Sequence, residues 1–454
     1  MKRSRFGLRS VAWMATLIAG GVAGFAQGAE APSEPAPEEP DLLSAFSDVD
    51  VELHGFLDAR YGQRTENTKL EDGRTLSEVR LQLDSVTYFD WAEFHLRGDL
   101  IYDDLASDRD HVDLETGEGF ADLREANALF SPAEWLDLKI GRQILTWGTG
   151  DLLFVNDLFP KDWNAFLLGR DEEYLKAPSD ALFASFFADL GNLDVCYVPS
   201  FDADRYVDGS RLVYWNPMMQ SLAGQNAPIE ADRRNRWFRD DEIALRLYRT
   251  ISGYEAALYA YSGFWKSPEG YDPVRNQAYF PRLNAYGASV RGDLLGGIFN
   301  LEGGYYDSRE DGGGDDPFIP NSQARFLVGY EHELTKDFTA GVQYYVEWMM
   351  DHGEYADSMR DLLGSTDTAR DALRHVLTLR LTKLALNQNL ILGLFIFYSP
   401  SENDAYFRPN VTYKISDHWS VSLFGNFFAG KDKHTFFGQF TQNSNAGLSL
   451  RYGF

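Results

Sequence analysis

From about residue 50 onward, apolar and polar side chains alternate with a period of two. Val79, Leu81 and Leu83 share one face while Arg80, Gln82 and Asp84 share the other. Phe94, Leu96 and Leu100 oppose His95, Arg97 and Asp99, and Leu377, Leu379 and Leu381 oppose Thr378, Arg380 and Thr382. Such alternation marks strands with one wet and one apolar face. Eighteen segments show it, the first starting near residue 50 and the last near residue 441.

The connections between these segments alternate too. Short turns fall at Phe89–Trp91, Ser131–Glu134, Gly191–Asn192, Thr250–Ser252, Leu294–Gly296, Leu334–Lys336, Ala385–Gln388 and Ile415–Asp417, and every other connection is longer. A soluble sandwich has no reason to keep its long loops at one end, whereas a transmembrane barrel does. No apolar run of membrane-helix length follows the first 29 residues, so a closed barrel is the remaining spanning solution. The pattern predicts an all-β, antiparallel up-and-down transmembrane barrel over 49–454. It has about 18 strands, with 16 as the fallback, short periplasmic turns and long extracellular loops. Trp91, Trp135 and Trp419 sit beside short turns, while Trp147, Trp265 and Trp348 sit where strands meet long loops. They predict two aromatic girdles at the membrane interfaces.

The first residues indicate the compartment. Lys2, Arg3, Arg5 and Arg9 precede an apolar run from Val11 to Phe25 and small residues near Ala26 and Ala29, as in a signal peptide over 1–29. The stretch EAPSEPAPEEP within 30–48 is too polar and Pro-rich to bury apolar surface and reads as a disordered periplasmic lead-in. Removing four positive charges and no acids with the leader moves the formal charge from −27 to −31. That excludes a nucleic-acid partner, which needs a basic face. The single cysteine, Cys196, rules out an internal disulfide and Cys-based zinc or haem motifs. The eight histidines lack metal-ligand spacing, and neither G-x-S-x-G nor a P-loop is present, so no enzyme, metal or cofactor is expected. A barrel-borne phospholipase or protease is the enzymatic alternative.

With apolar parity facing lipid, the lumen receives Arg80, Arg97, Lys139, Arg246, Arg291, Arg325, Arg374, Arg380, Arg408, Lys414 and Arg451, together with Asp84, Asp99, Glu125, Asp137, Glu255, Glu302 and Glu347. Counting across the turn at Asp90 pairs Arg80 with Asp99, Gln82 with Arg97 and Asp84 with His95. Arg374 and Arg380 form a local positive strip. Many remaining acids fall in the outer loops, giving an acidic rim.

One connection stands apart. GRQILTWGTGDLLFVNDLFPKDW, from Gly141 to Trp163, continues strand five into a loop over 149–181 that carries Leu152, Leu153, Phe154, Val155, Leu158 and Phe159. Left in water, such a loop loses about 25 cal/mol per Å² of apolar surface. Folding into the lumen removes that cost and narrows the pore, while an outer cap or a contact with another protomer are the rival placements. Strict alternation would point Arg142 at lipid, where an arginine costs about 2–4 kcal/mol at mid-membrane. A bulge at Gly141 would turn it inward, opposite Glu125, as an anchor for the loop or as a plain wall bridge. The candidate constriction residues are therefore Glu125, Arg142, Trp147, Asn156, Asp157 and Trp163, and the candidate lumen charges are Arg80, Arg97, Asp99, Arg374 and Arg380.

Gly141-Arg142-Gln143, Trp147-Gly148, Asn156-Asp157 and Pro160, preceded by Arg124-Glu125-Ala126, resemble a stretch in a bacterial outer-membrane porin-like barrel superfamily that includes alginate-export type proteins. The alternating C-terminal strand ending in Phe454 is similar to the signature that barrel assembly machinery reads in outer-membrane proteins. The resemblance implies a bacterial outer-membrane location, lipid around the belt, and the assembly machinery as a partner through Phe454. The expected function is a porin-like channel for diffusion or selective passage of small hydrophilic solutes, anionic ones included. An export conduit with a periplasmic partner and a sheath around a separate electron-transfer cytochrome are the alternatives; self-association stays open.

Overall fold

Residues 50–106 and 110–454 are described by the computed structural model, so the expected signal peptide and the Pro/Glu-rich lead-in lie outside the described residues. The strands of the large sheet are β1 Asp50–Arg64, β2 Arg74–Phe89, β3 Ala92–Asp103, β4 Ala121–Ala133, β5 Leu136–Ile144, β6 Pro178–Phe186, β7 Asn192–Val198, β8 Glu242–Ile251 and β9 Tyr254–Phe264. The second half adds β10 Arg282–Leu294, β11 Gly297–Ser308, β12 Gln323–Thr335, β13 Phe338–Met349, β14 Leu373–Ala385, β15 Leu390–Ser399, β16 Asp404–Lys414, β17 Trp419–Gly430 and β18 Asn445–Gly453. All 18 join one antiparallel sheet, each strand pairing with the next in sequence. The sheet closes where β1 meets β18, with Phe56 opposite Gly453 and Arg64 opposite Asn445. At that seam Gly55 and Phe454 exchange two backbone hydrogen bonds of 3.0 Å. A Cβ on Gly55 would lie 2.7 Å from the Phe454 ring, so only glycine leaves room for it.

Short turns lie at one end and, apart from the brief connection 400–403 between β15 and β16, longer loops at the other. Leu57, Val79, Leu83, Leu96, Leu258, Leu377 and Leu423 are exposed on the outer face, where lipid takes the place of water. Trp91, Trp135, Trp348 and Trp419 are likewise exposed and fit the girdles. Trp265 does not: it is buried, packed 5.7 Å from the Tyr306 ring inside the wall. Trp147 also turns inward, edge-on to Phe159 at 4.9 Å. Proximity to a long loop brought both within reach of inner apolar partners rather than of lipid.

The first hairpin corrects the expected register. Gln82 pairs with Asp99 and Asp84 with Arg97, two residues away from the count made across Asp90. A slip of two keeps every side chain on its face, so the ion pairs form diagonally: Arg80 Nη1 donates to Asp99 at 2.5 Å, and Asp84 accepts from Arg97 and bonds His95.

Candidate functional site

The long connection after β5 runs from 145 to 177, four residues earlier at each end than expected, and holds a short helix, α1 Trp163–Leu168. Asp162 caps α1 by accepting from the Ala165 N–H at 2.6 Å, and Gly169 ends it in the left-handed region at φ 95°. Four of its six residues, Ala165 to Leu168, are buried. They meet inward-facing wall side chains: Phe166 packs 5.7 Å from the Tyr406 ring of β16 and 6.4 Å from Phe397 of β15. Leu168, Leu175 and Val155 join the same cluster with Leu76 of β2, Leu327 of β12 and Val376 of β14. The connection thus crosses the interior of the barrel and lies against widely separated parts of the inner wall.

Its entry is clamped by a carboxylate. Glu302 of β11, 1% exposed, accepts from the backbone N–H groups of Thr149 and Gly150 and from Asn156 Nδ2 at 3.0 Å. Consecutive N–H groups converging on one anion form a backbone nest, and Gly148 at φ 83° supplies the turn it needs. Asn156 fits because β10 carries Gly287 beside it; a Cβ there would lie 1.8 Å from Asn156 Oδ1. Tyr306 donates its hydroxyl to the Val155 carbonyl at 2.6 Å. Asp157 accepts from Thr146 at 2.7 Å and from Lys161 Nζ at 2.9 Å, pinning the turn before α1. Trp163 donates Nε1 to Asp204 at 2.9 Å, and Asp204 belongs to the 199–241 connection that lies over this one. So Trp147, Asn156, Asp157 and Trp163 belong to one assembly, but as internal struts.

Glu125 and Arg142 do not pair. The pairing of β5 with β4 runs unbroken through Gly141, which sets Arg142 opposite Ala126 on the outward parity. Arg142 escapes lipid by its place at the outer rim. It donates Nε to the Leu123 carbonyl at 2.6 Å and Nη1 to Asp180 at 3.2 Å, and Nη2 reaches the Leu114 carbonyl of the small hairpin Val112–Gly119. The bulge lies instead on β4, where the register skips Arg124 between Leu123 and Glu125. It buries both Arg124 and Glu125. Glu125 then bonds Arg97 at 3.1 Å and His95 at 3.2 Å. Arg124 is the true anchor: Nη2 donates to the carbonyls of Lys176 at 2.8 Å and Glu173 at 3.2 Å, and its guanidinium lies 4.8 Å from the Tyr174 ring centre, with Arg80 at 4.5 Å.

The expected positive strip is neutralised. Arg374 pairs with Glu402 at 2.9 Å, and Arg380 with Asp151 at 2.5 Å and Glu172 at 3.2 Å. Three consecutive acids on the turn after α1, Asp171 to Glu173, meet further wall arginines. Arg60 reaches Asp171 at 3.1 Å and Arg408 reaches Glu172 at 3.2 Å. Arg451 contacts Asp171 and lies 3.8 Å from Glu173. The carboxyl of Asp171 is raised by burial, but Arg60 and Arg451 outweigh that and hold it below its usual range. Alternation had placed Arg408 and Arg451 inward; nothing local in the sequence links them to this acidic turn.

No protein-family profile matches the sequence, and no curated protein matches it. Solved structures share its architecture. Pseudomonas aeruginosa OccD3 is 11% identical with a TM-score of 0.50, over 89% of this chain and 91% of that one. Acinetobacter baumannii OccAB1 is 10% identical with a TM-score of 0.49, over 90% and 96%. Salmonella typhi OmpF, solved with daunomycin, is 9% identical with a TM-score of 0.43, over 89% and 97%. At these identities the likeness is one of fold, that of an outer-membrane porin barrel.

Proposed function

We propose that the protein is a porin-like channel of a bacterial outer membrane that passes small hydrophilic solutes, with its bore controlled by the 145–177 connection. The observation that carries this reading is the placement of that connection. It is clamped by Glu302 on β11, anchored by Arg124 on β4 and packed on β15 and β16, so any solute must pass beside it or displace it. An occupied interior also speaks against a sheath around a cytochrome, which needs a lumen free for its partner. Selectivity toward anions rests on the inward arginines; most of them are already paired in this arrangement, so the preference is mild while the connection stays in place.

The test is to replace Leu152–Lys176 by a Gly-Ser link. The strands are untouched and long loops tolerate such changes thermodynamically, so the barrel is expected to assemble. Single-channel conductance in planar bilayers and the solute cutoff in liposome swelling should both rise. A folded variant with unchanged conductance and cutoff would overturn the reading.

A further inference from the structure

The ion pairs around the acidic turn form a layer of their own. On β14 Val376 precedes Arg380 on the way to the short turn, and on β16 Tyr406 precedes Arg408. Val376 and Tyr406 belong to the apolar cluster that holds α1, so the arginines lie on its periplasmic side. Four guanidiniums, Arg60, Arg380, Arg408 and Arg451, converge there from β1, β14, β16 and β18. Their partners are Asp151, Asp171, Glu172 and Glu173 from the connection and one wall acid, Asp58. The wall half of the layer is the more buried: the Arg60 and Asp58 side chains are each 5% exposed, Arg408 11%, and Arg380 and Arg451 26%. The acids of the turn are wet, with side chains 36%, 46% and 51% exposed for Asp171, Glu172 and Glu173.

This asymmetry has an electrostatic consequence. Moving the connection away removes four carboxylates and leaves four guanidiniums facing Asp58 alone among the ion-pair partners described. A cluster of like charge in a low-dielectric bore focuses its field and draws in counter-ions. Guanidinium forks match oxyanions bidentately, better than they match chloride. Opening the connection is therefore unfavourable unless another anion takes its place, and an oxyanion carrying two or more charges fits the vacated positions best.

Resting on the channel reading above, we infer that Arg60, Arg380, Arg408 and Arg451 form a binding site for a small multivalent oxyanion approached from the periplasmic mouth. The turn Asp171–Glu173 occupies this site as an internal counter-anion, and binding of the external anion releases the connection. The site and the bore are thereby coupled: an anion that binds only the released state shifts the population toward it.

Citrate and sulfate, compared with chloride at equal ionic strength, probe this with the full-length protein. Open probability in planar bilayers should rise with citrate on the periplasmic side and stay flat with chloride. In Asp171→Asn/Glu172→Gln/Glu173→Gln, open probability should rise roughly 5- to 100-fold without citrate, the combined effect of several partly exposed pairs. Calorimetric titration gives a readout that does not depend on conduction. Citrate should bind this triple variant more tightly than the parent, and binding should vanish when Arg380→Gln and Arg408→Gln are added. If the triple variant does not fold, Glu172→Gln alone keeps the Asp171 contacts and should move both readouts the same way by less. A link-shortened protein that conducts, beside a parent indifferent to citrate and a triple variant that binds it no better, overturns the anion site and spares the channel. A link-shortened protein that folds and conducts no better than the parent overturns the channel reading itself.

Discussion

Two outer connections, 145–177 and 350–372, are built alike and end up in opposite surroundings. Each carries a helix closed by a glycine in the left-handed region, Gly169 at φ 95° and Gly364 at φ 77°. In α1 four of six residues are buried against the inner wall. In α2, His352–Leu363, only Tyr355 and Met359 are buried among twelve, in a small cluster with Met349, Leu363 and Ala369. Asp357 and Arg360 of α2 pair with each other in solvent at side-chain exposures of 70% and 57%. The difference lies in composition. A connection rich in Leu and Phe finds an apolar inner wall to cover, whereas one rich in acids and arginine stays outside as a local cap. A loop's destination in a barrel is thus set by what its side chains can bury.

The comparison breaks most sharply by exchange of deletions. Removing 353–369 should leave conductance and solute cutoff unchanged, while shortening Leu152–Lys176 raises both. An enlarged bore from the first deletion would erase the distinction. The two glycines sharpen it at single-residue scale. A Cβ on Gly169 would lie 2.6 Å from ring carbons of Phe424, and Arg60 donates to its carbonyl at 2.7 Å. Gly169→Val adds that clash to backbone strain of about 1–3 kcal/mol. It should loosen the connection, seen as faster protease cleavage near residue 170 and a higher conductance. Gly364 has open space around it, so Gly364→Ala should lose only about 1 kcal/mol locally and leave conductance alone.

The smallest expected effect concerns the 199–241 connection that overlies the first. Burial pushes the Asp202 carboxyl up to about 7, with Asp180 adding to the rise. A carboxyl whose pKa is higher when packed than when free binds more protons packed. Its packing is therefore firmest below the free value near 4 and weakens as pH rises toward and through 7. Protease cleavage within 199–241 should be a few-fold faster at pH 8 than at pH 5.5, and Asp202→Asn should flatten that dependence. A pH-independent parent would remove this loop from the comparison.

The strands were legible because period-two alternation is a direct image of a sheet with lipid on one side. The register of the first hairpin was not, since a slip of two leaves the pattern of Arg80, Gln82 and Asp84 intact and only the turn geometry decides it. Arg142 misled because alternation reports which face a residue takes but not how far along the barrel it sits. At the rim, the Leu123 and Leu114 carbonyls satisfy an outward arginine without any bulge. The bulge beside this site, at Arg124, is an extra residue that periodicity reads as noise. The greasy character of Leu152 to Phe159 pointed to an interior partner. Which wall residues meet Asp171–Glu173 depends on contacts spanning up to 280 positions in sequence, beyond any local pattern.

The seam between β1 and β18 bears on how such a chain comes to be folded at all. Asp58 and Arg451, bonded across it, are 393 residues apart. Until that pairing forms, both strands present bare hydrogen-bonding edges that invite other chains. Contacts of such separation are the slowest to find. Closure is therefore a single late event that needs the whole sheet present and aligned, and the Gly55–Phe454 fit acts as its latch. A substitution such as Gly55→Val should leave every other strand pair viable and still yield a population of open, sticky sheets.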